Sequence, residues 1–338
     1  MKIAITGGAG LIGSHIARAY GDAGHDVLII DNLSYGSEQR MDPRARLYKI
    51  DIRDEKLCDI LQHERPEILS HHAVQPYANI PVEHALADAD LHIRGLLNVL
   101  DGCVQAGIKK FIFASNGNGM YEQAGHLPVS EEQPICPKGS SDICKAAGEW
   151  YVRYYTRQYG LKHTILRYAD VYAEYDPLRT AYQRHPLNYF IDQLIQNKAP
   201  IIRGTGEEAR DHIFIEDVVQ ANLCVLNGGK NQTFHISSGR SYSLNQLYQA
   251  VARQLQYQIA PTYISGRLDD AGAIALDNTR ARLFLEWQPV VTLEEGIARA
   301  VRRVRNQQAN VLVKLLDEST FIQTEQLPVI TRDVMITS

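Results

Sequence analysis

Apolar positions in the first half of the chain alternate between two rhythms. Lys2–Thr6, Asp26–Ile30, Ala45–Ile50, Ile68–His71, Lys110–Ala114 and His163–Arg167 are short runs bounded by turn residues, and they read as strands. Between them, Leu11–Ala23, Glu55–His63, Val82–Ala106 and Ser141–Tyr159 carry helical spacing. In the third of these, Ala85, Ala89, Leu96, Leu97 and Leu100 share one face. Strands alternating with helices predict an α/β fold in which a parallel sheet is covered on both faces.

Beyond Tyr172 the rhythm changes. Tyr175–Pro186 is a polar loop. Helical patterns at Leu187–Asn197, Ile215–Leu226, Ser243–Leu255 and Thr292–Arg305 are then interleaved with short strands such as Thr233–Ile236. The division this suggests is a first domain over 1–172, a smaller α/β lobe over 173–310 interleaved with it, and a tail over 311–338 that fits neither rhythm.

Composition narrows the class. The chain has 338 residues, 45% of them hydrophobic, which supports a sizeable core. A formal net charge of -4 gives no basic surface for nucleic acid or an acidic membrane. The five cysteines form no CxxC pair, so the expectation is reduced cytoplasmic thiols rather than disulfides or a zinc site. Met1 runs straight into a strand pattern, and no apolar run approaches the roughly 18 residues of a membrane span.

The chemistry begins at the first turn. Gly7, Gly10 and Gly13 lie between a strand and a helix, where bare backbone can approach a pyrophosphate and a helix N-terminus offers unpaired N–H groups. The next strand runs into Asp31, a carboxylate placed to bind the ribose hydroxyls of NAD and to repel the 2′-phosphate of NADP.

With these landmarks the chain resembles the extended short-chain dehydrogenase/reductase superfamily, and within it the nucleotide-sugar epimerases and dehydratases of the UDP-glucose 4-epimerase type. The resemblance covers about residues 1–305. It rests on Thr6–His15, Asp31-Asn32-Leu33-Ser34, Asp51-Ile52-Arg53-Asp54, His71-His72-Ala73, Phe111–Ser115, Met120-Tyr121, Lys145, Leu166-Arg167-Tyr168, Arg210-Asp211 and Glu216-Asp217-Val218. It implies a Rossmann-type doubly wound parallel sheet, a smaller C-terminal substrate lobe, and NAD as cofactor. The implied cofactor contacts are Gly7, Gly10, Leu11, Ile12, Gly13, Asp31, Asn32, Ser34, Asp51, Ile52, His72, Ala73, Val74, Lys145 and Ala169. Asp51 and Ile52 would meet the adenine, Ala73 and Val74 would line the groove, and Lys145 would hold the nicotinamide ribose. A nucleotide sugar, with UDP favoured, would be gripped by Arg210, Arg267 and Asp270, with Asp170 nearby. The resemblance further implies a homodimer built on the helices near Val82–Ala106 and Ser141–Tyr159.

The reacting centre departs from that pattern. The family reaction uses a tyrosine four residues before the lysine, on the same helix face, with a serine or threonine on a neighbouring strand end. Lys145 is present, but Ser141 stands at the tyrosine position. Counting back four from Tyr121 places Gly117 at the serine or threonine position. Glu122 and Ala173 replace glycines, His92 an asparagine, and Asp170 a second asparagine. Asn116-Gly117-Asn118-Gly119 matches neither the Thr-Asp-Glu of the dehydratases nor the Thr-x-Glu-Val-Tyr of the decarboxylases. Tyr121, His92, Glu122, Asp142 and Asp170 are candidate substitutes, an imidazole being a base suited to neutral pH. Three readings stay open at this stage: an epimerase with altered machinery, a protein that binds NAD and a nucleotide sugar without chemistry, and an inactive variant of an epimerase. His71-His72 is read as a packed or hydrogen-bonded pair and Cys144 as an inert buried thiol. Tyr151, Tyr154, Tyr155 and Tyr159 are read as packing a helix face.

Overall fold

A computed structural model describes residues 1–74, 85–121, 126–174, 185–265 and 272–306. The main sheet takes its strands mostly from the first half: β1 (Lys2–Thr6), β2 (Asp26–Asp31), β3 (Arg46–Lys49), β4 (Ile68–His71), β5 (Lys110–Asn116) and β6 (Lys162–Tyr168). The helices between them are α1 (Leu11–Asp22), α2 (Lys56–Glu64), α3 (Ala85–Ala89), α4 (Gly95–Gln105) and α5 (Ser140–Tyr159). The described part of the long helix predicted over Val82–Ala106 is interrupted. A π turn at Asp90–Arg94 separates α3 from α4 and carries His92.

The second half contributes β7 (Asp170–Tyr172), α6 (Pro186–Ile195), β8 (Ile201–Arg203), β9 (Ala209–Phe214), α7 (Ile215–Asn227), β10 (Gln232–Ile236), β11 (Ser241–Ser243), α8 (Leu244–Leu255), β12 (Thr262–Ile264) and α9 (Thr279–Leu285). A last described helix covers 293–306. The seven-stranded sheet runs β10-β6-β5-β4-β1-β2-β3, every pair parallel. β10 therefore belongs to the first sheet although it lies well past residue 172. The smaller sheets, β11-β9-β7 and β12-β8, belong to the lobe.

Strand periodicity explains how both faces of the sheet are filled. Ile3, Ile5, Ile29 and Ile112 point to one side, where they meet Ile16, Ala17 and Tyr20 of α1 and Val218, Ala221 and Val225 of α7. Ala4, Leu28, Ile30, Leu69, Phe111, Phe113 and Ile165 point to the other, against α2, α4 and α5. A third cluster, including Leu187, Phe190, Leu247, Val251 and Ile297, holds the lobe together.

α5 buries Cys144, Gly148, Val152 and Tyr155 and leaves its remaining aromatic residues outside. This corrects the expectation for its tyrosines. Only Tyr155 packs inward, bonded to Asp101 of α4, while Tyr151, Tyr154, Tyr159 and Trp150 (64% exposed) face outward. Twenty residues of helix have a single core-facing stripe, and four tyrosines over nine positions cannot all lie on it.

One buried ion pair joins these layers. Glu149 of α5, fully buried, receives two parallel bonds from Arg167 of β6, at 2.8 and 2.7 Å. Ser115 of β5 adds a bond at 2.8 Å, and Arg153 another at 3.1 Å. Burial by itself would raise the Glu149 carboxyl, but the Arg167 bonds and charge outweigh it, and the group sits below its ordinary range. Removing one partner strands the other charge in the core. Glu149→Ala should lower stability by about 3–5 kcal/mol. The Glu149→Met, Arg167→Met pair should lose less than either single change, as read from urea midpoints. Additive losses in the pair would contradict the coupling.

Candidate functional site

β1 and β4 are neighbours, and the chain leaves them toward opposite edges of the sheet. A crevice opens at such a switch point beyond the strand ends. Here it is a cleft of about 650 Å³. One wall is the glycine turn. Gly7 has φ +69, and a Cβ there would stand 2.7 Å from the backbone of His72 and Ala73. A Cβ at Gly13 would collide with the Gly7 carbonyl. α1 begins after Gly10 with no side-chain cap, and Leu11, Ile12 and Gly13 of its first turn line the cleft, where a helix N-terminus offers N–H groups that its own turn does not use.

Asp31 closes the end of β2. Its two oxygens accept Ala9 N at 3.0 Å and Leu33 N at 2.8 Å. A carboxylate offers about four acceptor positions, so capacity for ribose hydroxyls is left. Gly36 keeps the space beside it clear. Further along, Asp51 is held by both ends of Arg53 and by Asn32 Nδ2 at 2.8 Å. The Arg53 bonds hold its carboxyl far below the usual range. Arg53 also bonds Asp90, tying this wall to the π turn.

The other end of the cleft holds Lys145 and Ser141. Lys145 is buried, and its Nζ donates to the Ala114 carbonyl at 2.8 Å and lies over the Phe113 ring. Burial lowers its pKa to about 8. Ser141 lines the cleft one helical turn earlier, with Asn116 at the tip of β5 and Asp170 at the start of β7. The Asn116 amide is fixed from both sides: Nδ2 donates to Asp142 at 2.6 Å, and Oδ1 accepts Gly119 N at 3.2 Å. Asp142 is wedged against Gly119, and its burial raises its pKa.

All fifteen residues expected from the sequence to touch the cofactor, from Gly7 to Ala169, line this one cleft, together with Ser141 and Asp170. The uncapped helix start, the two glycines that admit no side chain and the Asp31 carboxylate fit a dinucleotide. Arg210 lies on β9 opposite Tyr242, and its charge reaches Asp142. It is not among the residues that wall the cleft. Arg267, Asp270 and Glu122 fall outside the described residues.

Three of the expected reacting groups sit elsewhere. Gly117 turns away from the cleft: a Cβ there would meet Leu276 and come within 2.8 Å of the Tyr168 carbonyl. The strand-end residue that faces the cleft is Asn116. Counting back from Tyr121 missed it, whereas the last polar residue of the β5 pattern would have found it. Tyr121 is buried, accepting Arg167 Nη1 at 2.7 Å and paired with His235 Nε2 at 2.8 Å. Burial pushes its phenol up to about 12. The short helical turn at Asn118–Met120 carries the chain away from the cleft before Tyr121 is reached. His92 is buried in the π turn with Nε2 unpartnered, and burial, then the charge of Lys145, holds it at about 3. It is no base for neutral pH. Cys144 is an inert thiol, raised by burial. His71 bonds Thr6 Oγ1 and stacks on Phe113, and His72 bonds Ser70 Oγ while also lining the cleft. Sequence reasoning passed over Ser115, Arg40, Tyr35 and Leu91, which also wall the cleft.

The buried His92 makes acid stability a test of this geometry. An unfolded His92 takes a proton near 6.5, but the folded one waits until about 3. Between those values the unfolded chain binds the extra proton, so stability falls as pH drops below about 6.5. His92→Asn, which cannot titrate, should flatten the loss between pH 6 and 4 by about 1.4 kcal/mol per pH unit. Urea midpoints of both proteins measure this, and parallel slopes would place His92 in contact with water.

Comparison with known proteins agrees with the cleft. Residues 3–237 match the NAD dependent epimerase/dehydratase family. A putative UDP-glucose 4-epimerase of Methanocaldococcus jannaschii is 36% identical over 305 residues, covering 90% of this chain and 98% of the relative. A UDP-glucose 4-epimerase of Mycolicibacterium smegmatis is 32% identical, covering 90% and 99%. Among solved structures, the UDP-glucose 4-epimerase of Thermotoga maritima with UDP-glucose superposes with a TM-score of 0.87 at 35% identity, over 91% of this chain and 100% of that one. The UDP-glucose 4-epimerase of Thermus thermophilus in complex with NAD gives 0.83 at 28%, over 90% and 99%. With a Rossmann sheet, a dinucleotide cleft at its switch point and these matches along nine-tenths of its length, the chain belongs to the NAD dependent epimerase/dehydratase family.

Proposed function

We propose that the chain is an NAD-dependent nucleotide-sugar 4-epimerase acting on UDP-hexoses, with a reacting centre built from Lys145, Ser141 and Asn116. One observation carries this reading: the cleft that fits the dinucleotide is continuous with the pocket where those three side chains converge. Bound NAD would accept and return the hydrogen at C4 of the sugar. The protein would supply orientation and the proton. Asn116, braced by Asp142 and Gly119, keeps an N–H for the sugar oxygen. Arg210 and Arg267 would hold the diphosphate, with Asp270 as the acid of the Arg267 motif. Relatives named as UDP-glucose 4-epimerases, and the UDP-glucose bound in the Thermotoga maritima structure, support UDP as the nucleotide.

Proton NMR with NAD and UDP-, dTDP- and GDP-sugars, followed for hours at neutral pH, tests the reading. A new anomeric signal from a UDP-hexose is expected. Unchanged spectra from a sugar nucleotide that visibly binds would instead favour a binding protein that does no chemistry. If so, restoring the family pattern calls for Ser141→Tyr with Asn116→Ser. Gly117→Ser is unsuitable, because position 117 has no room for a side chain.

The family's homodimer is also part of the proposal. α5 leaves Ile143, Trp150, Tyr151, Tyr154 and Tyr159 exposed, large apolar and aromatic side chains of the kind that mark an interaction surface. The five free cysteines suit the cytoplasm, and no described helix is long and apolar enough to cross a membrane. Light scattering at micromolar concentration should give twice the chain mass, with Trp150→Glu shifting it to the monomer. A wild-type monomer would remove this part.

A further inference from the structure

We propose that Lys145 is the acid–base group of this centre and that Ser141 relays the proton between it and the sugar hydroxyl. The inference rests on the epimerase reading and says how that reaction proceeds without a tyrosine.

Ser141 and Lys145 are one turn apart on α5 and both line the cleft. Side chains at that spacing share a helix face. A serine hydroxyl is too weak an acid to stand in for a phenol, but a relay need not hold the charge. It accepts one proton while giving up another, and only the terminal group must titrate near working pH. Lys145 has the surroundings for that. Among the described residues its Nζ bonds the Ala114 carbonyl at 2.8 Å, and no carboxylate pairs with it. The groups around it are His71 and His72 from the end of β4, His92 from the π turn, and Cys144 and Glu149 from its own helix. Burial and proximity keep the three imidazoles uncharged. Glu149, whose charge would raise Lys145, is neutralised by Arg167 and Arg153. Desolvation is the largest effect on Lys145 and favours the free amine.

The step balances as follows. The O–H bond at C4 of the sugar breaks, and its proton passes to Ser141 Oγ. The Ser141 hydroxyl proton passes to the Lys145 amine, which becomes ammonium. The hydrogen at C4 would leave with its bonding pair, as hydride, for the oxidised dinucleotide, and the oxygen lone pair closes the C4 ketone. On return the hydride would reach the opposite face of the ketone while the proton passes back from Lys145 through Ser141 to the C4 oxygen, which gives the epimer and restores the amine. The serine side chain is shorter than tyrosine by a ring, so the sugar must sit deeper, within reach of the Asn116 amide.

The test uses the NAD-loaded protein with [13Cε]lysine, Lys145→Arg identifying the resonance. The Lys145 signal should titrate near pH 8, and conversion of UDP-glucose should rise with pH through the same value. Ser141→Ala should lower kcat about 100-fold or more, with NAD and UDP affinity and the Lys145 titration unchanged. Ser141→Thr, which keeps the hydroxyl, should recover most of that loss. A Lys145 that stays protonated above pH 10, or an alanine variant with wild-type kcat, overturns the inference while leaving the epimerase reading intact. Wild-type protein that binds UDP-glucose and never converts it sinks that reading and this inference together.

Discussion

The pair between Glu149 and Arg167 is the constraint on which the rest of the site depends. It fastens α5 to β6, and through Ser115 it also fastens the end of β5. α5 carries Lys145, β5 ends in Asn116 and Ala169 directly follows β6, so the geometry of the reacting end is set by charges that never meet the ligand. Arg167 reaches on to Tyr121, and Tyr121 to His235 of β10. That chain of bonds explains why a tyrosine so close in sequence to the centre is unavailable to it. A fully paired network in a dry core is costly to leave half-made, which gives it directional authority over the helix it holds.

The two ends of the cleft obey different physics. At the adenine end, backbone dominates: glycines without room for a Cβ, an uncapped helix start, and a carboxylate held by two main-chain N–H groups. Such features tolerate little change, and here they are complete. At the other end, side chains dominate: Lys145, Ser141 and Asn116 line it. Rebuilding that end leaves the fold intact because Ser141 and Asn116 are half-buried cleft-lining residues, outside the packed clusters. The fold as a whole superposes on a solved epimerase with a TM-score of 0.87.

The lobe is bound to the sheet through shared strands rather than a linker. β10 completes the main sheet, and Asp211 of β9 gathers Ser238, Gly239 and Leu276 around its carboxylate. The strand Asp170–Tyr172 follows β6 directly and pairs with β9, placing Asp170 at the border of both halves. Opening the cleft therefore strains hydrogen-bonded strands.

The sequence by itself determined the order of strands and helices, the glycine turn, Asp31 and fifteen of the residues that wall the cleft. These follow from local rules: periodicity selects the element, and a turn between strand and helix needs glycine wherever backbone meets backbone. Lys145 and Ser141 were legible for the same reason, because a four-residue spacing on one helix is a local fact. What only the tertiary structure decided was which way each candidate faces. Asn116 rather than Gly117 meets the cleft because Leu276, 160 residues on, fills the space beside Gly117. Tyr121 and His92 are silent because distant partners and burial, not their neighbours in the chain, set their protonation. The outward tyrosines of α5 were misread because spacing shows that residues share a helix, while only packing shows which stripe is covered. Long-range contact carries that information, and no window of sequence contains it.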